Sequence, residues 1–220
     1  METALVCLLI PSSKTSASKF FPRFPSYYYT GTSDDLVHNH NDAALIHRFL
    51  KGDREAFGAL YGKYQRRLYG YCYRLLQERT ATEDVVQSTF AKALESVHFL
   101  DKPESFYYWI FTIARNEVYG VLRATRSNGT VELTDDVWDE VTPHDTVVGK
   151  ETVQLVEECL SRLKVEYREV LVFRHFEQLS YAEISTITGD TISSVESRIH
   201  KARKALIKQL APYLESRRIR

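Results

Sequence analysis

Proline and glycine are scarce in this sequence, at six and nine residues of 220. So few breakers leave long stretches free to form helix. Cysteine is scarcer still. Cys7, Cys72 and Cys159 are odd in number and far apart, which excludes a disulfide framework and any Cys-x-x-Cys or Cys/His metal spacing. Cys72 and Cys159 lie among apolar residues and are expected to be buried, inert thiols in a reducing, cytosolic compartment. Net charge is also absent: 29 Lys and Arg balance 29 Asp and Glu, so the total announces no polyanionic partner. The apolar run Ala4 to Ile10 is shorter than a membrane span and lacks a basic stretch before it, so it reads poorly as a signal peptide. No Gly-rich phosphate loop, metal-ligand spacing or nucleophile motif occurs, and the seven His share no common frame. These absences argue against an enzyme and predict no catalytic residue, metal, cofactor or small-molecule substrate.

The charge that is present is unevenly placed. Between Ser193 and Arg220, eight basic residues face only Glu196 and Glu215, a local balance of +6. Between Asn128 and Val147, six acids stand without a Lys or Arg. A neutral total hides an acidic middle and a basic end.

Helical periodicity begins at Asp42. Asp53 is suited to cap a helix whose Phe57, Leu60, Tyr61, Tyr64, Leu68, Tyr71 and Leu75 share one face. Thr80-Ala81-Thr82-Glu83 reads as a Thr-x-x-Glu capping box opening a second helix, with Val86, Phe90, Ala93 and Val97 inward. A polar break, Leu100 to Glu104, precedes a third helix near Ser105 that is rich in aromatics, Trp109 being expected in the core. Residues 1–41 read as a disordered extension and 127–150 as an acidic linker. A second helical block covers 151–214, followed by a basic tail at 215–220. The fold class expected is all-α: two small helical domains, 42–126 and 151–214, joined by a flexible acidic linker.

Near the C-terminus, Ser180-Tyr181-Ala182-Glu183 is another capping box, Gly189 supplies a left-handed turn, and Thr191 can cap the helix that follows. Val195, Ile199, Ala202 and Leu206 form its apolar stripe. At about 100° per residue, Ser193, Ser197, His200, Lys201 and Lys204 fall opposite, while Arg198 and Arg203 flank the stripe. Small hydrogen-bonding residues near the N-terminal end, Ser194 among them, and cations further on are what a helix needs to enter a DNA groove. A lone basic helix is more often a solvated face. Two capped helices around a glycine turn raise DNA binding well above that reading.

Three segments, Tyr167 to Arg174, Leu179 to Ile184 and Ser197 to Leu206, resemble region 4 of the extracytoplasmic-function sigma factors of bacterial RNA polymerase. Upstream, Asp53-Arg54-Glu55-Ala56-Phe57, Glu83 to Phe90 and Trp109 to Glu117 resemble region 2 of the same family. The resemblance implies a transcription-initiation subunit that binds core RNA polymerase and promoter DNA. It implies that Asp84 and Gln87 contact a coiled coil of the polymerase β′ subunit, the sequence departing from the family at Ser88, where an acid is common. It places Leu100 to Ser105 near a flipped base of the −10 element, with Arg115, Asn116, Arg123 and Arg126 along the strand. It assigns the second helix of the helix-turn-helix, with Ser193, Ser194, Ser197, Arg198, His200, Lys201 and Lys204, to the −35 element, and makes Arg174 and His175 phosphate contacts. Where the family commonly has Lys this chain has Glu196, which either accepts from a cytosine amino group or pairs with Arg203 or Lys204; the pairing is preferred. The acidic linker suits a basic polymerase channel, with Val137-Trp138 as an anchor. Relatives are often held by an anti-sigma factor, commonly membrane-bound, so such a partner is expected for this cytoplasmic chain. The competing reading is a stand-alone helix-turn-helix regulator with a helical partner-binding domain, although no dimer face follows Leu210.

Overall fold

The computed structural model describes residues 41–127 and 148–218, with side chains over 42–125 and 155–213. The expected N-terminal extension, most of the acidic linker with Val137-Trp138, the Arg126 side chain, residues 219–220 and the side chains of the rest of the basic tail lie outside these bounds, while the tail backbone continues α8 to Arg218. The order of helices is α1 Asn41–Leu50, α2 Arg54–Leu76, α3 Arg79–Ser96, α4 Phe106–Ser127, α5 Val148–Ser161, α6 Val165–His175, α7 Tyr181–Thr188 and α8 Ile192–Arg218. Two single 3-10 turns, Val97–Phe99 and Pro103–Ser105, separate α3 from α4. Among the described residues there is no strand, and no helix is long and apolar enough to cross a membrane.

Helix starts follow local chemistry. Asp53 caps α2, accepting from the Glu55 N–H at 3.1 Å. For α3 the Thr80–Glu83 capping box is not used. The helix starts earlier because Glu78 takes the cap position and its carboxylate accepts from the N–H groups of Thr80 and Ala81. Glu83, freed from that task, pairs with Arg79 at 2.9 Å on the exposed face. The box at Ser180 and Glu183 forms in full, and Gly189 closes α7 in the left-handed region at φ 74°. Thr191 accepts from the Ser194 N–H at 3.2 Å and opens α8.

The first unit packs α2, α3 and α4 around Leu60, Leu68, Val86, Phe90, Ile110 and Phe111, all buried. The second packs α6, α7 and α8 around Val170, Phe173, Ile184, Val195, Ile199 and Ala202. Cys72 and Cys159 are free and buried, and burial pushes both thiols up. Trp109 is only partly buried against the core, whereas Phe106 and Tyr107 are enclosed.

The two units do not stand apart. Their apolar residues form one continuous cluster, with Tyr71 of α2 stacked on Phe173 of α6 at 4.8 Å and Phe111 of α4 at the edge of the same ring. Arg168 of α6 is buried and ties the units through backbone groups. Its guanidinium donates to the carbonyls of Arg74 and Leu75, at the end of α2, and to that of Leu163. The Arg74 and Leu75 carbonyls are among those that a helix end leaves without an intrahelical partner. Burial pulls Arg168 down to about 10, so it stays cationic at neutral pH.

A Cβ added at Gly189 would meet no atom within 4 Å, so the cost of filling the position is conformational alone. Gly189→Ala is expected to lower unfolding free energy by about 1–2 kcal/mol, read as a reduced urea midpoint; an unchanged midpoint would contradict the turn described.

Candidate nucleic-acid interface

Helix α8 presents the face that its sequence pattern predicts. Val195, Ile199, Ala202, Leu206 and Leu210 are buried, while Ser193, Ser197, His200, Lys201 and Lys204 are exposed and Ser194 is half-buried. The surface is therefore hydroxyl-rich at its N-terminal end and cationic further along. A helix N-terminus with short side chains can approach base edges while Lys residues neutralise phosphates.

Two arginines assigned to DNA are committed elsewhere. Arg198 turns back across the helix-turn-helix and grips Asp190 with two hydrogen bonds, at 2.7 and 3.1 Å. The guanidinium holds the Asp190 carboxyl below its ordinary range. This pair fixes the angle at which α8 leaves the turn. Arg174 donates to the Leu179 carbonyl at 2.8 Å and lies over the Tyr181 ring, bracing the loop before α7. His175 is a correction. The residue is half-buried, its Nε2 is buried without a partner, and burial beside Arg203 and Arg174 pulls it down to about 4. A neutral ring whose Nε2 faces inward offers no charge to a phosphate. Glu196 is a second correction: it is exposed and pairs with neither Arg203 nor Lys204.

In the first unit, Asp84 and Gln87 are exposed on α3, opposite buried Val85, Val86, Thr89 and Phe90. One turn onward the same face continues through Ala91 to Leu94, which is 44% exposed. Phe99, in the turn that follows, is 79% exposed, far more than packing would leave. Ser88 has a local reason. Its hydroxyl donates to Glu117 of α4 at 2.6 Å, with Lys92 on the other carboxylate oxygen. An acid at position 88 would face Glu117 and repel it. Asn116 is exposed and, with Lys92, Glu95, Ser96, Ile113 and Glu117, lines an open cleft between α3 and α4. Arg123 is exposed two turns further along.

Arg115 has a different fate. Its Nε donates at 3.0 Å to Glu169, a carboxylate of α6 with no solvent exposure. Tyr71 and Tyr119 donate to the same carboxylate, each at 3.0 Å. Burial pushes the Glu169 carboxyl up, and Arg115 with the two hydroxyls pulls the other way. Glu177 repeats the pattern. It accepts from Arg67 at 2.9 and 3.0 Å and from Tyr107 at 3.2 Å. Glu183 gives one oxygen to its own capping box and the other to Tyr108 of α4 at 2.8 Å. Three carboxylates of the second unit thus take donors from the first. No sequence pattern marked these pairings between units, because the partners are 50 or more residues apart.

Among the described residues no group of three or more His, Cys, Asp or Glu could hold a metal ion.

Comparison with known proteins agrees with this geometry. A family model described as Sigma-70 region 2 matches residues 60–128, and one described as Sigma-70, region 4 matches residues 154–206. The chain is 32% identical to the ECF RNA polymerase sigma factor SigW of Bacillus subtilis, over 75% of this chain and 94% of that protein. It is 29% identical to the RNA polymerase sigma-H factor of Pseudomonas aeruginosa, over 81% and 98% of the two chains. Among solved structures it resembles CnrH in complex with the cytosolic domain of CnrY, with TM-score 0.61 and 25% identity over 78% and 98%. It also resembles the sigma factor RpoE in complex with the anti-sigma factor NepR from Bartonella quintana, with TM-score 0.57 and 26% identity over 70% and 96%.

Arg115→Met would leave the Glu169 carboxylate buried without its cation. Loss of one member of such a pair costs about 3–5 kcal/mol, and the low end is expected because Arg115 keeps 22% of its side chain in water. Urea unfolding should show that loss, and Arg115→Met with Glu169→Gln should regain most of it. Equal stability of the single variant and the parent would refute the pairing.

Proposed function

The chain belongs to the extracytoplasmic-function sigma factors of bacterial RNA polymerase, and we propose that its two helical units divide promoter-directed initiation between them. It is a promoter-selecting subunit for core RNA polymerase. The unit over 42–126 takes the polymerase and the −10 element; the unit over 151–214 takes the −35 element. The observation that carries this reading is the pairing of two surfaces of opposite character in one chain. The first is the α3 face with Asp84, Gln87 and Leu94. The second is the α8 face with Ser193, Ser197, His200, Lys201 and Lys204.

Asp84 and Gln87 contact the polymerase β′ coiled coil. Their carboxylate and carboxamide leave the helix where no described residue covers them, and the exposed Leu94 extends the contact with apolar area. Asn116, Arg123 and Arg126 follow the −10 strand, with Phe99 close to the unstacked bases, since an exposed aromatic face suits a base drawn out of the duplex. In region 4, Ser193, Ser194, Ser197 and His200 reach base edges, while Lys201 and Lys204 take phosphates. Arg198 and Arg174 act through the helices they brace. No residue carries catalysis of its own.

Arg115 supports a further step. With its Nε and its charge committed to the buried Glu169 carboxylate, Arg115 reaches a phosphate only through its outer N–H groups, and its full contact with the strand follows separation of the two units. The same logic gives an anti-sigma factor its purchase: a partner that favours the joined arrangement keeps Arg115 occupied. Such a partner, near the membrane or away from it, would act on both units at once.

The stand-alone regulator is the alternative, and binding assays separate the two. The full chain with core polymerase should transcribe from its promoter in vitro, while the chain alone should bind the same fragment weakly. Asp84→Arg with Gln87→Ala should reduce core affinity at least tenfold. Lys201→Ala with Lys204→Ala should leave core affinity intact, weaken promoter binding and lower its salt slope by about 2. Tight promoter binding without core polymerase would favour the regulator.

A further inference from the structure

The N-terminal half of α8 holds one side chain that does not fit a purely cationic DNA face. Glu196 is the fifth residue of the helix, exposed, and without an ion pair or hydrogen bond in the structure. Cations are near in sequence. Arg198 is spent on Asp190, Arg203 is half-buried toward His175, and Lys201 and Lys204 stand exposed on the face. The acid is therefore neither neutralised nor hidden. Ile192, one turn earlier on the same edge, is 52% exposed.

Resting on the assignment of α8 to the −35 element, we propose that Glu196 is a specificity residue that accepts a hydrogen bond from the amino group of a cytosine in the major groove. The chemistry narrows the partner to that base. A carboxylate accepts and cannot donate. Guanine N7 and O6 and thymine O4 are acceptors and repel it. Adenine N6 is a donor, but N7 beside it is an acceptor, so the second carboxylate oxygen meets like charge. Cytosine N4 donates with no acceptor next to it on the major-groove edge. Phosphate offers nothing to an acid, so the side chain contributes only when directed at the base edge. Ile192 sharpens the choice. Its apolar side chain excludes water beside the carboxylate once the helix is docked, so a wrong base leaves that charge desolvated and unpaired, the costly outcome. The helix then reads by rejection as well as by contact.

The test uses the full chain with core polymerase on a promoter library randomised across the −35 element. The parent chain should show one position at which cytosine on the contacted strand is preferred about 5- to 30-fold, the lower part of the range for a base contact. Glu196→Ala should flatten that position and leave the remaining −35 preferences in place. Glu196→Gln should move the preference toward adenine, because a carboxamide donates to N7 while accepting from N6. Both variants alter an exposed residue, and an unchanged thermal unfolding curve checks that each is folded. The proposal is overturned if Glu196→Ala raises transcription equally across the library, which would mean simple repulsion from phosphate. It is also overturned if no position changes. If the parent chain shows no −35 preference at all, the assignment of α8 to that element fails first, and the role of Glu196 goes with it.

Discussion

The arrangement of the molecule depends on a carboxylate that water does not reach. Glu169 sits on α6 with no exposed surface and is made tolerable by Arg115, Tyr71 and Tyr119, all from the other unit. A buried acid with such partners is specific rather than strongly stabilising, since desolvation offsets most of the attraction. Its consequence is geometric. Only one docking of the two units brings two tyrosine hydroxyls and a guanidinium to the same two oxygens. The stacked Tyr71 and Phe173 rings beside it supply the apolar area that makes the docking favourable. Glu177 with Arg67 and Tyr107, and Arg168 on the end of α2, reinforce the same register.

That docking has a functional edge. Donors held by Glu169 include Arg115, the cation proposed to lie along the promoter strand, so under that proposal the joined chain and the engaged chain compete for one side chain. The α3 surface proposed for core polymerase is different. Asp84, Gln87 and Leu94 are exposed with the units joined, so first contact with core polymerase needs no rearrangement. The −35 face of α8 is likewise open. The order this suggests is capture through α3, separation, then use of Arg115.

Local features were legible in the sequence because their causes are local. Ser180 and Glu183 are three residues apart and form the capping box that the pattern predicts; Gly189 takes the left-handed turn for the same reason. The apolar stripes of α3 and α8 sorted buried from exposed residues, which is why Asp84, Gln87 and the α8 face fell where expected; on α2 the expected stripe held except at Tyr61, which is exposed. The start of α3 was missed because Glu78, not a common capping residue, reached two N–H groups before Thr80 could serve. Arg115 read as a cation free for DNA because its partner is 54 residues away, and distance in sequence leaves no periodic trace. The Arg198–Asp190 pair went unforeseen over only eight residues, since the turn at Gly189 and Asp190 brings the carboxylate back onto the helix. Sequence thus gave the faces, and the structure decided which charged groups on them were already taken.

The most direct test is the distance between the units before and after core polymerase binds. Fluorescent labels at the exposed positions Glu95 and Lys208, with Cys7 replaced by Ser and the two buried thiols left in place, would report it by energy transfer. Transfer efficiency should be high in the free chain and should fall when core polymerase and promoter are added. Unchanged efficiency in a complex that is actively transcribing would contradict the account, because it would leave Arg115 on Glu169 throughout initiation.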